Sequence, residues 1–217
     1  MSFHATPVAI VSPAQPLSCT AALTAPCLRV AQDDFALQTI PEQGSVGFCT
    51  ANQADGSMYC DLLDDTEECH PPRPLFARFT LHPPAQYTAS RAWQKFAAKV
   101  GGSHEEKAAL EDAADAEEHI NETELELASS GAAIFGGTFQ LHQAVSDKYL
   151  QAHQSVAEGD STALRCSMCD RERRSKMLWW SIRPGFRTRT EGEEIRMGDT
   201  IVIESLKMPV RWFSSGK

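Results

Sequence analysis

Residues 101–127 read GGSHEEKAALEDAADAEEHINETELEL, and this stretch separates two β-patterned parts of the chain. Ser103 followed by Glu106 has the spacing of a capping box, in which each side chain bonds an unpaired backbone N–H at a helix start. The alanine-rich run after it predicts a helix over 105–127 with a weak apolar stripe. Before the two glycines, apolar residues three and four apart predict another helix over 87–100. The sequence therefore predicts an αα hairpin, an arm at about 87–128.

Short runs of alternating apolar residues lie on both sides of this arm, which is typical of an all-β module. The predicted strands include 45–50, 57–63, 75–81, 148–152, 176–183 and 200–204. A faint internal repeat links three units, which carry the apolar pairs Phe35 and Leu37, Phe139 and Leu141, and Ile201 and Ile203. Such a repeat predicts a threefold, mainly β module with the helical pair inserted between its first and second units.

The charge of the chain is concentrated in the second predicted helix. The 217 residues carry a net charge of −9, and residues 105–126 hold ten acids against one base. A net negative charge disfavours a nucleic-acid partner held by phosphate contacts. An acidic helix is usually a solvated face; the sharper hypothesis is a docking surface for a basic protein partner. Its candidate contacts are Glu111, Asp112, Asp115 and Glu118.

The start of the chain lacks the features of a targeting segment. Its first 28 residues carry no charge and are interrupted by four prolines, with no basic region ahead of an apolar one. We interpret 1–33 as a mobile tail. No window offers the roughly 18 uncharged apolar residues of a spanning helix, so direct membrane insertion is not expected. Seven cysteines without the dense spacing of a disulfide scaffold favour a reducing cytosol.

The chain lacks the spacings that mark common catalytic sites. It contains no GxGxxG, HExxH or GxSxG motif, so neither an enzyme nor a cofactor is predicted. Cys166 and Cys169 form a CxxC pair that is a weak candidate for zinc, with Cys60, Cys69 or His70 completing the ligands. The alternatives are two ordinary thiols in a loop or, less well supported, a redox pair.

A positive patch runs from Arg165 to Arg189, with eight bases and two acids interleaved with aromatic residues. We expect the two tryptophans to alternate between core and surface on a strand, with Trp179 in the core. Phe186 follows Pro184 and Gly185 in a loop that has no obvious core to fill. An apolar side chain in such a loop is a contact candidate, together with Arg187 and Arg189.

Residues 182–203, IRPGFRTRTEGEEIRMGDTIVI, resemble without gaps a segment of the amino-terminal suppressor domain of inositol 1,4,5-trisphosphate receptors, which are intracellular calcium-release channels. Ryanodine receptors carry a more distant version. Further blocks in the same order are 113–115 with 121–124, 140–141 with 146–150, and more weakly 44–48 and 75–78. Together the blocks extend over about 34–203.

The resemblance implies a β-trefoil with a protruding helix-turn-helix arm. It implies a non-catalytic regulatory domain of a tetrameric channel, on the cytosolic face of the endoplasmic reticulum or another calcium-store membrane. Such a domain tunes ligand affinity and couples binding to gating, and its partners are neighbouring domains and subunits. The inositol-phosphate contacts of that family belong to other domains, so no ligand-binding residue is transferred to this chain.

Phe186 falls where the family has an aromatic residue on a loop that touches a neighbouring subunit. This sequence has Gly185 where the family tends to have a second aromatic residue, which implies a smaller contact. Only ten of twelve trefoil strands are visible, so a trefoil over 34–217 is expected to be incomplete at its C-terminus. The alternative hypothesis is a free-standing, soluble cytosolic trefoil adaptor that binds a protein through the acidic arm, with no channel attached.

Overall fold

The structure is a computed structural model that describes residues 2–3, 8–11, 27–39, 47–51, 58–62, 77–99, 103–157, 160–170, 175–186 and 189–207. The fold is mainly β, as the sequence predicts. The strands are β1 Ser2–Phe3, β2 Val8–Val11, β3 Ala36–Thr39, β4 Gly47–Ala51, β5 Met58–Leu62, β6 Thr80–His82, β7 Thr138–Gln143, β8 Lys148–Ala157, β9 Asp160–Asp170, β10 Trp180–Pro184 and β11 Thr200–Ser205. The helices are α1 Thr88–Ala97 and α2 His104–Ala128, within the region predicted for the arm.

The strands pair antiparallel in the order β1-β9-β8-β7-β10-β11-β2-β3-β4-β5, and β6 joins β7. At the centre, β10 pairs with β7 on one side and β11 on the other, which sets Ile182 opposite Ile203. Along β11, buried Ile201, Ile203 and Ser205 alternate with more exposed residues. This alternation is the period of two that the apolar pattern of the sequence predicts.

Three separate segments of the chain meet in a closed ring of backbone hydrogen bonds. Leu28 N–H donates to the Ile195 carbonyl (2.8 Å), Ile195 N–H to the Ala133 carbonyl (2.8 Å), and Ala133 N–H to the Leu28 carbonyl (2.7 Å). All three side chains are fully buried. The ring satisfies buried backbone groups that a core could not otherwise tolerate. It relates the three segments by an approximate threefold arrangement.

Each ring segment continues into one unit of the predicted repeat. A residue with left-handed backbone follows in each: Ala31 (φ 56°), Gly136 (φ 82°) and Gly198 (φ 90°). The three apolar pairs come next, and all six of their side chains are buried: Phe35, Leu37, Phe139, Leu141, Ile201 and Ile203. The faint sequence repeat thus corresponds to three equivalent segments whose apolar pairs pack in one hydrophobic core.

The structure differs from the tail expected over 1–33. Leu28 and Val30 lie in the core, on either side of exposed Arg29. Strand β2 pairs with both β3 and β11. The sequence analysis assigned this segment to the tail because the alternation of Leu28 and Val30 is short and follows an uncharged, proline-rich stretch.

Two further differences concern the positive patch. The strand predicted over 176–183 begins only at Trp180, because Lys176–Leu178 form a 3₁₀ turn capped by the Ser175 hydroxyl, which accepts from Met177 N–H at 3.2 Å. Strand β9 was not predicted, and it carries the CxxC pair, for which a loop position was one of the alternatives. The trefoil was expected to be incomplete at its C-terminal end. Residues 208–217, which form that end, lie outside the described residues.

Candidate functional site

The buried carboxylate of Glu117 on α2 binds the start of α1 and so links the two helices of the arm. Its oxygens accept hydrogen bonds from Thr88 N–H (2.7 Å), Ala89 N–H (2.8 Å) and Ser90 N–H (3.0 Å). The Ser90 hydroxyl donates a fourth hydrogen bond at 2.8 Å. Because Tyr87 at the start of α1 provides no side-chain cap, Glu117 satisfies the N–H groups that a helix start leaves unpaired. A distant residue therefore caps α1.

Glu117 holds its charge despite its burial. Burial acts to raise the pKa of this carboxyl, but hydrogen bonds from Ser90, Ala89 and Thr88 outweigh it and keep the pKa below the ordinary 4.5. The positive end of the α1 dipole acts in the same direction. Glu117 is therefore an anion that fixes the position of a helix start.

Asn121, one turn further along α2, binds the segment that leads into α1. Its side chain accepts from Gln86 N–H at 2.8 Å and donates to the Gln86 carbonyl at 3.0 Å. Glu117 and Asn121 are spaced i, i+4 and thus lie on one face of the helix. Together they determine how α1 lies against α2.

The predicted acidic face is on the outer side of α2. Glu111, Asp112 and Asp115 are exposed, whereas Glu118 is half-buried. The predicted start of the helix is also present, since the Ser103 hydroxyl accepts from Glu106 N–H at 3.1 Å. Glu118 therefore differs from the other three predicted acids in exposure, although Asp115 lies one turn before it on the same helix.

The Phe186 side chain projects from the turn after β10 and is 57% exposed. Gly185 makes this turn tight: its N–H donates to the Thr200 carbonyl at 2.8 Å. A Cβ at position 185 would lie 2.6 Å from Thr200 Cγ2 and 3.1 Å from its carbonyl oxygen. The second aromatic residue that the resemblance implies at position 185 would require Thr200 to shift. Among the described residues of this turn, Phe186 is the exposed large apolar side chain.

Arg187 and Arg189 were predicted to form contacts together with Phe186, and the structure describes only the second of them. Arg187 lies outside the described residues. Arg189 binds Asp199 with Nη2 to Oδ1 at 3.2 Å and approaches Glu193 with Nη1 to Oε2 at 3.5 Å. Asp199 also accepts from Arg196 N–H at 2.8 Å. Arg189 therefore stabilises residues 193–199, the segment that leads into β11.

The CxxC pair lies in β9, with its two thiols in different clusters. Cys166 belongs to the main core and Cys169 packs with Tyr149 and Leu178. Residues three apart on a strand point to opposite faces, so the two sulfurs cannot reach one ion. Burial raises the pKa of Cys166 to about 12. Cys69 and His70 lie outside the described residues, as does the side chain of Cys60.

The described residues offer no other arrangement for a metal. Within them, no group of three or more histidine, cysteine or acidic side chains converges.

The buried tryptophan is Trp180, not Trp179 as we predicted. Trp180 is 2% exposed, and its indole N–H donates to the Leu150 carbonyl at 2.9 Å. Trp179 is only partly buried and carries the Lys176 ammonium over its ring at 4.9 Å. The prediction was wrong because the buried apolar residues are Leu178, Trp180 and Ile182, spaced two apart, and this series includes Trp180 and not Trp179.

Glu117 and Asn121 are the residues that sequence reasoning missed. Glu117 is one of ten acids between 105 and 126, and nothing local distinguishes it from its exposed neighbours. No sequence signal pointed to this cap, because Thr88 and Ser90 offer local cap candidates and only the structure shows that Tyr87 stands at the cap position without a side-chain hydrogen bond.

One comparison with known protein families gives a match. The family described as inositol 1,4,5-trisphosphate/ryanodine receptor matches residues 54–214, about three quarters of the chain. The matched span includes both helices of the arm, the ring residues Ala133 and Ile195, and the Phe186 turn. No helix in the described part of the chain is both long and apolar enough to cross a membrane.

Proposed function

Because the chain belongs to the inositol 1,4,5-trisphosphate/ryanodine receptor family, we propose that it is a non-catalytic regulatory domain of an inositol 1,4,5-trisphosphate-gated calcium-release channel. In this role it lowers the ligand affinity of the channel and couples ligand binding to opening. Its position is the cytosolic face of the endoplasmic reticulum or another calcium-store membrane. Its partners there are neighbouring domains and subunits of the tetramer.

The observation that carries this proposal is the exposed Phe186. A phenylalanine that is 57% exposed contributes little to its own core, and aromatic residues are enriched at protein interfaces. Gly185 allows the turn to lie close to Thr200. The Phe186 ring therefore extends from a tight turn and not from a long loop. A contact held in this way can transmit a shift of the domain to a neighbouring subunit, because a rigid support loses little motion on binding.

We further propose that the β part is a β-trefoil. The ring of Leu28, Ala133 and Ile195 supports this topology, since a trefoil is built from three equivalent units around an axis. The insertion of both helices between the first and second units agrees with a trefoil that carries an arm.

Three basic side chains that the structure describes are each paired with an acid of this chain. Arg183 Nε contacts Glu204 at 3.1 Å, Arg189 contacts Asp199 at 3.2 Å, and Lys148 contacts Asp170 at 3.2 Å. Each of these cations is thus neutralised by an acid of this chain. A trisphosphate needs several cations that converge on it.

A fusion experiment tests the proposed tuning of affinity. The chain is joined to the ligand-binding region of a receptor of this family, and binding of inositol 1,4,5-trisphosphate is measured by calorimetry with and without it. We expect weaker binding when the chain is present, and no submicromolar binding to the chain alone. Equal affinities for the two proteins would contradict the proposal.

The second candidate is a free-standing adaptor in the cytosol that binds a basic protein through the acidic arm. The exposed carboxylates of Glu111, Asp112 and Asp115 favour it, because they form a negative surface on one helix. A reading frame that continues into ligand-binding and membrane-spanning regions would separate the channel domain from the adaptor.

A further inference from the structure

Helix α2 carries a line of exposed apolar and small residues along most of its length, which we call the α2 stripe. Its members alternate four and three residues apart, and each is exposed: Ala109, Ala113, Ala116, Ile120, Thr123 and Leu127. A spacing that averages three and a half residues keeps a row on one side of a helix. It is the spacing by which two helices pack side by side in a coiled coil.

The two large residues of the stripe leave much of their apolar surface in water. Ile120 is 48% exposed and Leu127 is 70% exposed. They are seven residues apart, so they occupy the same position in successive repeats of the spacing. Between them, the Thr123 hydroxyl donates to the His119 carbonyl at 2.9 Å, within the helix itself. The stripe thus offers apolar contact without a hydrogen-bond donor that a partner would have to satisfy.

The stripe lies on a different side of α2 from the residues that join the two helices of the arm. Glu117 and Asn121 are buried and bind the start of α1 and the segment before it. An α-helix turns by roughly 100° per residue, which places the stripe roughly 100° around α2 from these two residues. A partner on the stripe would therefore leave the joint between α1 and α2 intact.

A row of acids runs along one edge of the stripe. Its positions are seven residues apart and all are exposed: Glu105, Asp112, His119 and Glu126. No side chain of the described residues pairs with the three carboxylates of this row. The one lysine of α2, Lys107, lies elsewhere, with its ammonium over the Trp93 ring at 5.7 Å. In helix pairs, charges at the edge of the apolar row select the partner, and here they favour a basic one.

The same acids disfavour a second copy of this chain as the partner. Two stripes packed on each other would bring the acid rows of both helices into one interface, where like charges repel. The shape of the stripe also favours a different helix. Ala109, Ala113 and Ala116 leave room for large apolar residues, whereas Ile120 and Leu127 fill space beside small ones.

We propose that the α2 stripe binds an amphipathic helix of a protein partner, whose apolar row is flanked by lysine or arginine. The proposal rests on the second role considered above, a basic partner for the acidic arm. It adds the secondary structure of that partner and the residues that hold it. Exposed ion pairs alone contribute little to affinity, so Ile120 and Leu127 supply the attachment and the acid row supplies the selectivity.

The test uses the whole chain and three helical peptides with blocked ends. The basic peptide repeats Gln-Leu-Lys-Ala-Lys-Leu-Gln three times, the acidic peptide has glutamate in place of each lysine, and the third is the basic peptide with its residues shuffled so that the leucines lose their spacing. Affinities are measured by calorimetry, and the methyl signals of Ile120 and Leu127 are followed by NMR. We expect the basic peptide to bind at least about tenfold more tightly than either control and to shift those signals.

Matched double variants separate the stripe from other exposed apolar residues. Ile120→Ala with Leu127→Ala truncates the two large residues of the stripe and preserves the helix, since alanine has the highest helix propensity. Val145→Ala with Leu206→Ala truncates two residues in other parts of the chain that are 43% and 45% exposed. We expect the first pair to weaken the basic peptide about tenfold and the second by no more than about twofold.

A third pair tests the role of the acid row. Asp112→Asn with Glu126→Gln removes two charges from the edge of the stripe and leaves its apolar residues in place. We expect this pair to reduce the preference for the basic over the acidic peptide at least about threefold, and to do so less at high salt because exposed charges are screened. An unchanged preference would contradict the proposed basic partner.

Three further results would overturn the inference. The first is equal binding of the basic and shuffled peptides, which would assign binding to charge alone and leave the adaptor role standing without this stripe. The second is an equal effect of the two apolar variant pairs. The third is self-association of the chain that Ile120→Ala with Leu127→Ala abolishes, which would assign the stripe to a second copy. Phe186→Ala should not change peptide binding, so failure here leaves the proposed role of Phe186 untouched.

Discussion

At the scale of single residues, Phe186 and Trp180 differ in how far their side chains are exposed. The two residues are only six positions apart in the sequence. The indole of Trp180 is 2% exposed and bonded to the Leu150 carbonyl, whereas the Phe186 ring is 57% exposed. A side chain that is buried stabilises the fold through area and packing, and one that is exposed is available for another surface. We therefore expect truncation of the two side chains to differ in its effect on stability.

Phe186→Ala should lower the free energy of unfolding by less than about 1 kcal/mol, whereas Trp180→Ala should lower it by roughly 3 to 5 kcal/mol. The difference arises because only the second change opens a cavity and leaves the Leu150 carbonyl without its donor. Urea unfolding of the two variants measures both values. Equal losses would make Phe186 a packed core residue.

Cys166 should resist alkylation in the folded chain. Because burial raises its pKa to about 12, its thiolate fraction at neutral pH is about a thousandfold below that of an ordinary thiol. Iodoacetamide labelling followed by mass spectrometry should find Cys166 modified only after denaturant is added. Rapid labelling of Cys166 without denaturant would show that β9 opens readily or does not bury this residue.

At the scale of elements, the arm depends on Glu117 more than on the propensity of its helices. Helix α1 is ten residues long, which is too short to be stable alone in water. Three backbone N–H groups of its first turn depend on the Glu117 carboxylate. Helix α2 thus both packs against α1 and completes its hydrogen bonding.

Glu117→Gln should destabilise the chain by about 2 kcal/mol at pH 7, since charge-assisted hydrogen bonds become neutral ones. The folded pKa is lowered, so the contribution of the carboxylate is present above the ordinary 4.5 and is lost as pH falls through the lower folded value. Unfolding at several pH values should show the two proteins converging in acid.

The control for this prediction is Glu111→Gln, which changes an exposed acid of the same helix and should cost less than about 0.5 kcal/mol at either pH. If Glu111→Gln matched Glu117→Gln, the effect would come from the general charge of α2 and not from the cap.

At the scale of the whole molecule, the features that the sequence predicted are those with a local or periodic cause. The alternation of Ile201 and Ile203 predicted β11, and the Ser103 cap predicted the start of α2. Contacts distant in sequence were missed: Glu117 caps a helix start 29 residues before it, and Leu28 joins a ring with Ala133 and Ile195. No window of sequence contains either interaction.

The same reasoning explains the missed strand and the misplaced tryptophan. Strand β9 is rich in polar residues, so its sequence lacks a clear apolar alternation; its pairing with β8, in which Leu150 lies opposite Met168, is a contact between separate segments. Two adjacent tryptophans do not by themselves show which one faces the core, and the buried series of Leu178, Trp180 and Ile182 includes the second of them. The site loop was predictable because Pro184 and Gly185 mark a turn, but the space constraint from Thr200 depends on the pairing of β10 with β11.

The measurement that tests the central claim most directly is channel opening in a receptor that carries this chain with Phe186→Ala. Ligand affinity and single-channel open probability are recorded for the same protein, beside Val145→Ala, which truncates another exposed apolar residue in a different turn. Coupling is a free energy between sites and is separate from the affinity at either one. We predict that Phe186→Ala leaves affinity within about twofold and lowers open probability at saturating ligand at least about fivefold, while Val145→Ala changes neither. An open probability unchanged by Phe186→Ala, in a folded receptor that binds ligand normally, would contradict the account.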